Sequence, residues 1–198
     1  MGITFEGLSC HSSDPSKGKK SIDRLYEVLE KVYRFPYLKD DPDIGVATVT
    51  TTTIKTWSDY LHTAPAFTRL VLAPSRLVPG EDPKKAMTEI KEYLMESSSD
   101  IKMSFDEELN FQYPHKIEEN CPLVQSAKKA CQRATGKVET SYNRSALDMG
   151  FFSHYEQDCI TFGPGDSALA HSDYEMVPLS EFYEAAYIYE ILLEDMFL

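Results

Sequence analysis

The 198-residue chain reads as an α+β protein on three observations. Residues 1–112 alternate strand-like and helix-like apolar patterns in the order strand, helix, strand, strand, helix, strand. Residues 113–198 carry several apolar helix faces and few strand-like runs. Between them, Tyr113-Pro114-His115 interrupts both patterns and marks a domain boundary.

Residues 3–8 open as a short strand. A helix follows from about Lys19, with Ile22, Leu25, Leu29 and Val32 at helical spacing, and it stops before Pro36. Residues 46–57 are rich in Val, Thr and Ile, the β-branched types that fit a pleated surface. Residues 67–72 continue the strand signal, which Pro74 ends. Asp82-Pro83 has the form of an N-cap with proline at the first helical position, and Met87, Ile90 and Leu94 share one face of the helix that follows. Ser97-Ser98-Ser99 breaks that helix, and residues 101–111 alternate as a last strand. This βαββαβ order is the ferredoxin-like split unit.

Beyond the boundary, residues 122–134 predict a helix closed by Gly136 in the C-cap position. Residues 137–142 and 159–162 predict short strands, the second running into Gly163-Pro164-Gly165. A final helix begins near Ser180, with Glu181 and Glu184 suited to its positive end. Its predicted buried stripe is Phe182, Ala185, Tyr189, Leu192 and Met196. This part is poorly closed by itself and would pack better against further sheet.

A hydrophobic content of 42% is enough for a buried core, and the net charge of −12 argues against nucleic-acid or anionic-membrane partners, which need a basic face. No run approaches the roughly 20 apolar residues of a membrane span. Met1-Gly2-Ile3-Thr4-Phe5-Glu6 has neither the basic start nor the apolar stretch of a signal peptide. Cys10, Cys121, Cys131 and Cys159 are scattered, without a Cys-x-x-Cys pair, and read as free thiols of a cytoplasmic protein.

Four segments carry a resemblance. Glu6-Gly7-Leu8-Ser9-Cys10-His11-Ser12-Ser13-Asp14-Pro15-Ser16-Lys17-Gly18 resembles the start of the inserted lid of the co-catalytic zinc amidohydrolases. That group holds acetylornithine deacetylase, succinyl-diaminopimelate desuccinylase and carboxypeptidase G, and the segment is most like the acetylornithine deacetylase branch. Arg76-Leu77-Val78-Pro79-Gly80 resembles the Arg-x-x-Pro-Gly after the lid's third strand. Tyr142-Asn143 and Leu147-Asp148-Met149-Gly150-Phe151-Phe152 fall where the group has a Thr-Asp-Ala-x-Phe-type segment. Residues 162–177 follow its ending: Gly-Pro-Gly, then His171, then Glu175. The order of these matches along nearly the whole chain is more specific than any one of them.

The resemblance implies a lid and dimerisation domain over 1–112 and, over 113–198, the C-terminal part of a zinc-peptidase-like catalytic domain, an incomplete α/β segment whose N-terminal part is absent. It implies that His11 reaches across a homodimer to stabilise the oxyanion of a tetrahedral intermediate, a task that suits an N–H-donating ring. Read from its neighbours alone, His11 bonds locally among Ser12, Ser13 and Asp14. Arg76 would hold a substrate carboxylate through a bidentate contact, or make a surface ion pair. Asp148 would line the site, or cap a helix. His171 would be a zinc ligand with Glu175 or Asp166 orienting its ring, although a His in a polar loop is by default solvated.

Several positions depart from the group's pattern. Its lid Gly-Gly falls near Ser58-Asp59, its substrate-facing Asn at His62 or Thr63, and the Asn of its Gly-x-Asn-Ala-Ile helix start is Lys20. Its Asp before the lid Arg is replaced around Pro74, and the Arg after Asp148 is missing, with Gly150 nearby. The remaining ligands of a two-zinc centre, and the Glu that activates water, come in that group from upstream of the lid. Glu118-Glu119 lies on the wrong side of the lid to replace them. The expectation is therefore a C-terminal portion of a zinc-dependent N-acyl amino acid deacetylase of arginine-biosynthesis type, inactive alone: a truncated or frameshifted half, or one completed by a separately encoded N-terminal catalytic half. The alternative is a non-catalytic dimerisation module left after loss of that half. A small-ligand binder using Arg76 and His62 is a third reading.

Overall fold

A computed structural model describes residues 1–198 apart from 37, 59–61, 97–99, 107–111, 144, 146 and 156 and, in side chain, 74 and 75. It divides into two units, Met1–Pro114 with the stretch 144–147, and His115–Asn143 with Asp148–Leu198.

The first unit runs β1 (Gly2–Glu6), α1 (Ser21–Tyr33), a small hairpin of β2 (Asp40–Asp41) and β3 (Gly45–Val46), β4 (Thr48–Trp57), β5 (Phe67–Arg76), α2 (Pro83–Met95) and β6 (Lys102–Phe105). Its main sheet has the order β4-β5-β1-β6, with every neighbouring pair antiparallel. Period-2 alternation sends Ile3, Phe5, Leu70 and Leu72 to one face, where Leu25, Val28, Val32, Met87, Ile90 and Leu94 of the two helices cover them. Each such fully buried side chain stabilises the fold by roughly 1.5–3 kcal/mol. A polar chain crosses this core, from Thr56 Oγ1 to Thr68 Oγ1 at 3.0 Å, on to Ser21 Oγ at 2.8 Å and to the Pro65 carbonyl at 3.1 Å. Every member is satisfied, which is what makes the burial of Ser21 and Thr68 tolerable. Trp57 and Phe67 stack with ring centroids 5.8 Å apart.

The predicted helices form with small corrections. α2 has the expected cap, the Asp82 carboxylate accepting the N–H groups of Lys84 and Lys85. On α1 the buried face is Arg24, Leu25, Val28 and Val32, and Ile22 is 42% exposed. The helix is turned so that Val28 rather than Ile22 points at the sheet. β1 ends at Glu6, with one further ladder bond from the Gly7 N–H to the Ala66 carbonyl, and at Gly7 the Lys19 main chain comes so close that a Cβ would sit 1.9 Å from its carbonyl oxygen. β5 runs past Pro74 to Arg76, beyond the predicted stop. The predicted helix break at Ser97-Ser98-Ser99 and the end of the last predicted strand, residues 107–111, lie outside the described residues.

The second unit contains α3 (Pro122–Thr135), α4 (Met149–His154) and α5 (Leu179–Phe197). Gly136 closes α3 in the left-handed conformation, φ 71°, its N–H donating to the Gln132 carbonyl. Its core is small: Ala130, Ile188, Ile191 and Leu192, with Ala127, Cys131, Ala134 and Phe162 packed against them. The strands predicted at 137–142 and 159–162 do not form. A strand exists through ladder partners, and the described residues of this unit supply none. The predicted stripe of α5 is also corrected. Ala185 and Leu192 are buried, but Phe182 is 57% exposed, Tyr189 and Met196 44% each, and Ile188 and Ile191 are buried instead. α5 is apolar nearly all round, so periodicity does not select the side that meets α3. Among the described residues, no helix is long and apolar enough to cross a membrane.

Candidate functional site

In the first unit the functional candidates stand at the two ends of β5, His11 near its start and Arg76 at its close. After β1 the chain folds back on itself, Leu8 bridging Lys19, and then lies beside the segment preceding β5. The Ser12 N–H donates to the His62 carbonyl at 2.7 Å, and the Ala64 N–H to the Cys10 carbonyl at 2.9 Å. These two bonds flank His11 and Thr63, which makes them a non-hydrogen-bonded antiparallel pair. Side chains in such a pair stand on the same face with Cβ atoms about 5 Å apart. Thr63, rather than His62, is thus the residue beside the His11 ring. Thr63 Oγ1 also donates to Ser58 Oγ at 2.9 Å. His62 holds φ at 62°, a left-handed conformation that costs a residue with a Cβ about 1–3 kcal/mol.

His11 is exposed, and its Nδ1 lies 2.7 Å from Ser13 Oγ and accepts the Ser13 backbone N–H at 3.2 Å. The local bonding read from the sequence is therefore present, and it occupies only one of the two ring nitrogens. The loop is pinned further by Asp14, which takes Lys17 Nζ and the Ser16 hydroxyl, each at 2.7 Å, and whose N–H donates to the His11 carbonyl. The Lys17 contact first, and Ser16 second, hold the Asp14 carboxyl below the usual carboxylate range.

Arg76 lies at the other end of the same ten-residue strand, paired with Thr48. At about 3.3 Å per residue, roughly 30 Å of β5 separates it from the His11 end. Arg76 is exposed, and its side chain makes no hydrogen bond or ion pair among the described residues. The residues after it have a structural task of their own. Val78-Pro79-Gly80-Glu81 is a type II turn, with proline at its second position, Gly80 at φ 85° in its third, and the Glu81 N–H donating to the Val78 carbonyl. That turn delivers the chain to the Asp82 cap of α2.

In the second unit, His171 is exposed and left-handed at φ 63°. Glu175 Oε2 accepts the backbone N–H of His171 at 2.9 Å, so this carboxylate holds the main chain of the loop rather than the imidazole ring. Asp166 likewise accepts the Ala168 N–H and caps the short 3-10 turn Ser167–Leu169. Gly165 donates its N–H to Glu181 on α5 at 2.9 Å. Asp148 sits at the N-cap position of α4 without a side-chain cap bond. Cys121 Sγ donates to Asp158 Oδ2 at 3.2 Å, and burial pushes the Cys131 thiol up. Lys128 holds the Glu119 carboxyl down through an ion pair.

Zinc needs four donors about one centre. Among the described residues no three His, Cys, Asp or Glu side chains converge, and the two carboxylates expected to orient the His171 ring, Glu175 and Asp166, are committed to backbone N–H groups. The described residues by themselves do not fit a zinc centre. The sequence reading named Ser13 only as one of three local partners, with Ser12 and Asp14, and the structure singles it out at the His11 ring. The Ser-Ser-Asp-Pro run after His11 was the available signal, since serines and Asp there favour local bonds to neighbouring main chain.

The chain matches the model of peptidase family M20/M25/M40 over residues 7–195. It is 25% identical over 197 residues to the LysW-lysine/LysW-ornithine hydrolase of Saccharolobus solfataricus, covering 99% of this chain and 52% of that protein. To the protein of the same name from Sulfurisphaera tokodaii it is 25% identical over 198 residues, with the same two coverages. The chain thus spans about half the length of the curated relatives it matches. Among solved structures it is similar to an M20 family metallo-carboxypeptidase from Sulfolobus solfataricus, with a TM-score of 0.67, 15% identity, and coverage of 98% of this chain and 58% of that one. A tripeptidase from Staphylococcus aureus gives a TM-score of 0.66 at 15% identity, over 98% and 50%. At such identities the likeness concerns the fold.

Proposed function

The chain belongs to peptidase family M20/M25/M40, and we propose that it is the lid-bearing C-terminal portion of a zinc-dependent amidohydrolase that releases an amino acid such as ornithine or lysine from an N-acyl linkage. The relatives named for LysW-lysine and LysW-ornithine support that amino-acid class, and the acetyl group of the acetylornithine deacetylase branch is one acyl group that fits the reading. The βαββαβ order and the β4-β5-β1-β6 sheet support a ferredoxin-like lid for the first unit.

The observation that carries the reading is the placement of the lid's two polar ends. His11, beside Thr63 with one ring nitrogen unbonded among the described residues, and Arg76, whose side chain is likewise unpaired among them, stand at opposite ends of β5. Two such groups meet on one small substrate only when a second copy brings its His11 to the first copy's Arg76, so the active form is a homodimer through the lid. His171 contributes one imidazole to a zinc centre whose other ligands come from the half of the relatives' length that this chain does not span. That half covers the apolar surface of α5. Asp148, with its carboxylate unbonded at the start of α4, lines the same site.

The test is hydrolysis of N-acetylornithine and N-acetyllysine, with zinc, by this chain alone and by this chain co-purified with a polypeptide carrying the upstream half of a relative. Release of free amino acid by the pair and not by the chain alone is the expected result. A folded, zinc-loaded, associated pair that hydrolyses neither overturns the enzyme reading. The alternative, a non-catalytic dimerisation module, then stands, and the first unit's self-contained core favours it.

A further inference from the structure

We propose that Ser13 is a positioning residue for His11, fixing both the tautomer and the orientation of its ring. The proposal rests on the reading of His11 as an N–H donor and names the residue that makes it one. The geometry gives the argument in three steps.

A backbone N–H can only donate, so the Ser13 N–H at 3.2 Å from His11 Nδ1 requires an acceptor there. Nδ1 of the neutral ring is therefore without a proton, and the proton resides on Nε2. The alternative tautomer would set two hydrogens against each other at this contact. The Ser13 hydroxyl, 2.7 Å from the same nitrogen, then acts as a second donor to it. One residue thus grips one ring nitrogen from both its main chain and its side chain.

Nε2 is left without a partner among the described residues, on a ring that is exposed and stands beside Thr63. A neutral imidazole held this way presents a single, directed N–H donor. That is a form able to stabilise developing negative charge on an oxygen, and the other neutral tautomer lacks it at Nε2. The backbone on both sides keeps the grip in register. Ser12 is tied to His62, and Asp14 is tied to the His11 carbonyl, to Ser16 and to Lys17. Ser13 has little freedom to leave.

The experiment is long-range ¹H–¹⁵N correlation NMR on the histidine rings of the full chain at a pH where His11 is neutral. It is read together with side-chain coupling constants and with the scalar coupling across the Ser13 N–H to Nδ1 bond. Wild-type His11 is expected as the Nε2–H tautomer, in one rotamer, with that coupling present. Ser13→Ala removes one of the two donors and is expected to lower the ratio of docked to undocked rings about fivefold, the worth of one hydrogen bond. Ser13→Thr is expected to restore it. A wild-type ring protonated at Nδ1, or a Ser13→Ala ring as ordered as wild type, overturns the proposal. None of these readouts depends on catalysis or dimerisation, so a failed hydrolysis assay and a failed ring measurement are separate results.

Discussion

Phe5, Leu70 and Leu94 in the first unit expose none of their surface, whereas Phe182 and Leu193 in the second are each more than half exposed. The two units have similar apolar composition to draw on and use it differently. In the first, a four-stranded sheet offers one continuous apolar face, and two helices are enough to close it. In the second, the described core of α5 is a narrow seam in which Ile188, Ile191 and Leu192 meet the alanines of α3, with Phe162 at its side. A helix that is apolar nearly all round is the kind normally buried on several sides. Among the described residues, the second unit therefore has the side chains of a core without the layers to enclose them.

That contrast can be broken by mutation. Trp57 is the chain's single tryptophan and lies in the first unit, so its fluorescence reports that unit alone. Phe5→Ala is expected to destabilise the first unit by about 3–5 kcal/mol, and Ile188→Ala to cost the second about 2 kcal/mol, as denaturant titration followed by fluorescence and by helical circular dichroism will show. Equal losses would mean that the second core is as well enclosed as the first. The next effect is one of surface. Phe182→Ser with Leu193→Ser is expected to leave stability within about 0.5 kcal/mol and to reduce binding of an apolar dye. A large loss of stability would show those side chains to be covered.

The smallest effect sharpens the first unit's loop. Lys17, then Ser16, lowers the Asp14 carboxyl, so its contribution is present above the ordinary carboxylate range of about 3.9 and fades as pH falls through the lowered value. Carboxyl ¹³C NMR is expected to show Asp14 titrating below a free Asp, and Lys17→Met to move it back up. An unchanged titration in that variant would remove Lys17 as the cause.

What could be read from the sequence follows from how local each signal is. The Asp82-Pro83 cap, the Gly136 stop and the alternation in β1 and β5 are decided within a few residues, and they were legible. Residues 137–142 and 159–162 have strand-like composition, but a ladder needs a partner that local sequence cannot reveal. α5 misled for the related reason that its periodicity has no preferred side. The neighbourhood of His11 depends on residues 62–64 arriving in a particular register, so neither Thr63's place nor the distance to Arg76 could be read before the pairing was known.

The length of β5 has a kinetic consequence. A rigid spacer of roughly 30 Å between two groups cannot be folded away by thermal motion within one copy. Anything that His11 and Arg76 do to the same small molecule is therefore second order in protein. On the homodimer proposed above, the specific rate of the completed enzyme is expected to fall on dilution below the dissociation constant of the pair, and a mixture of His11→Ala and Arg76→Ala chains to regain part of what each has lost.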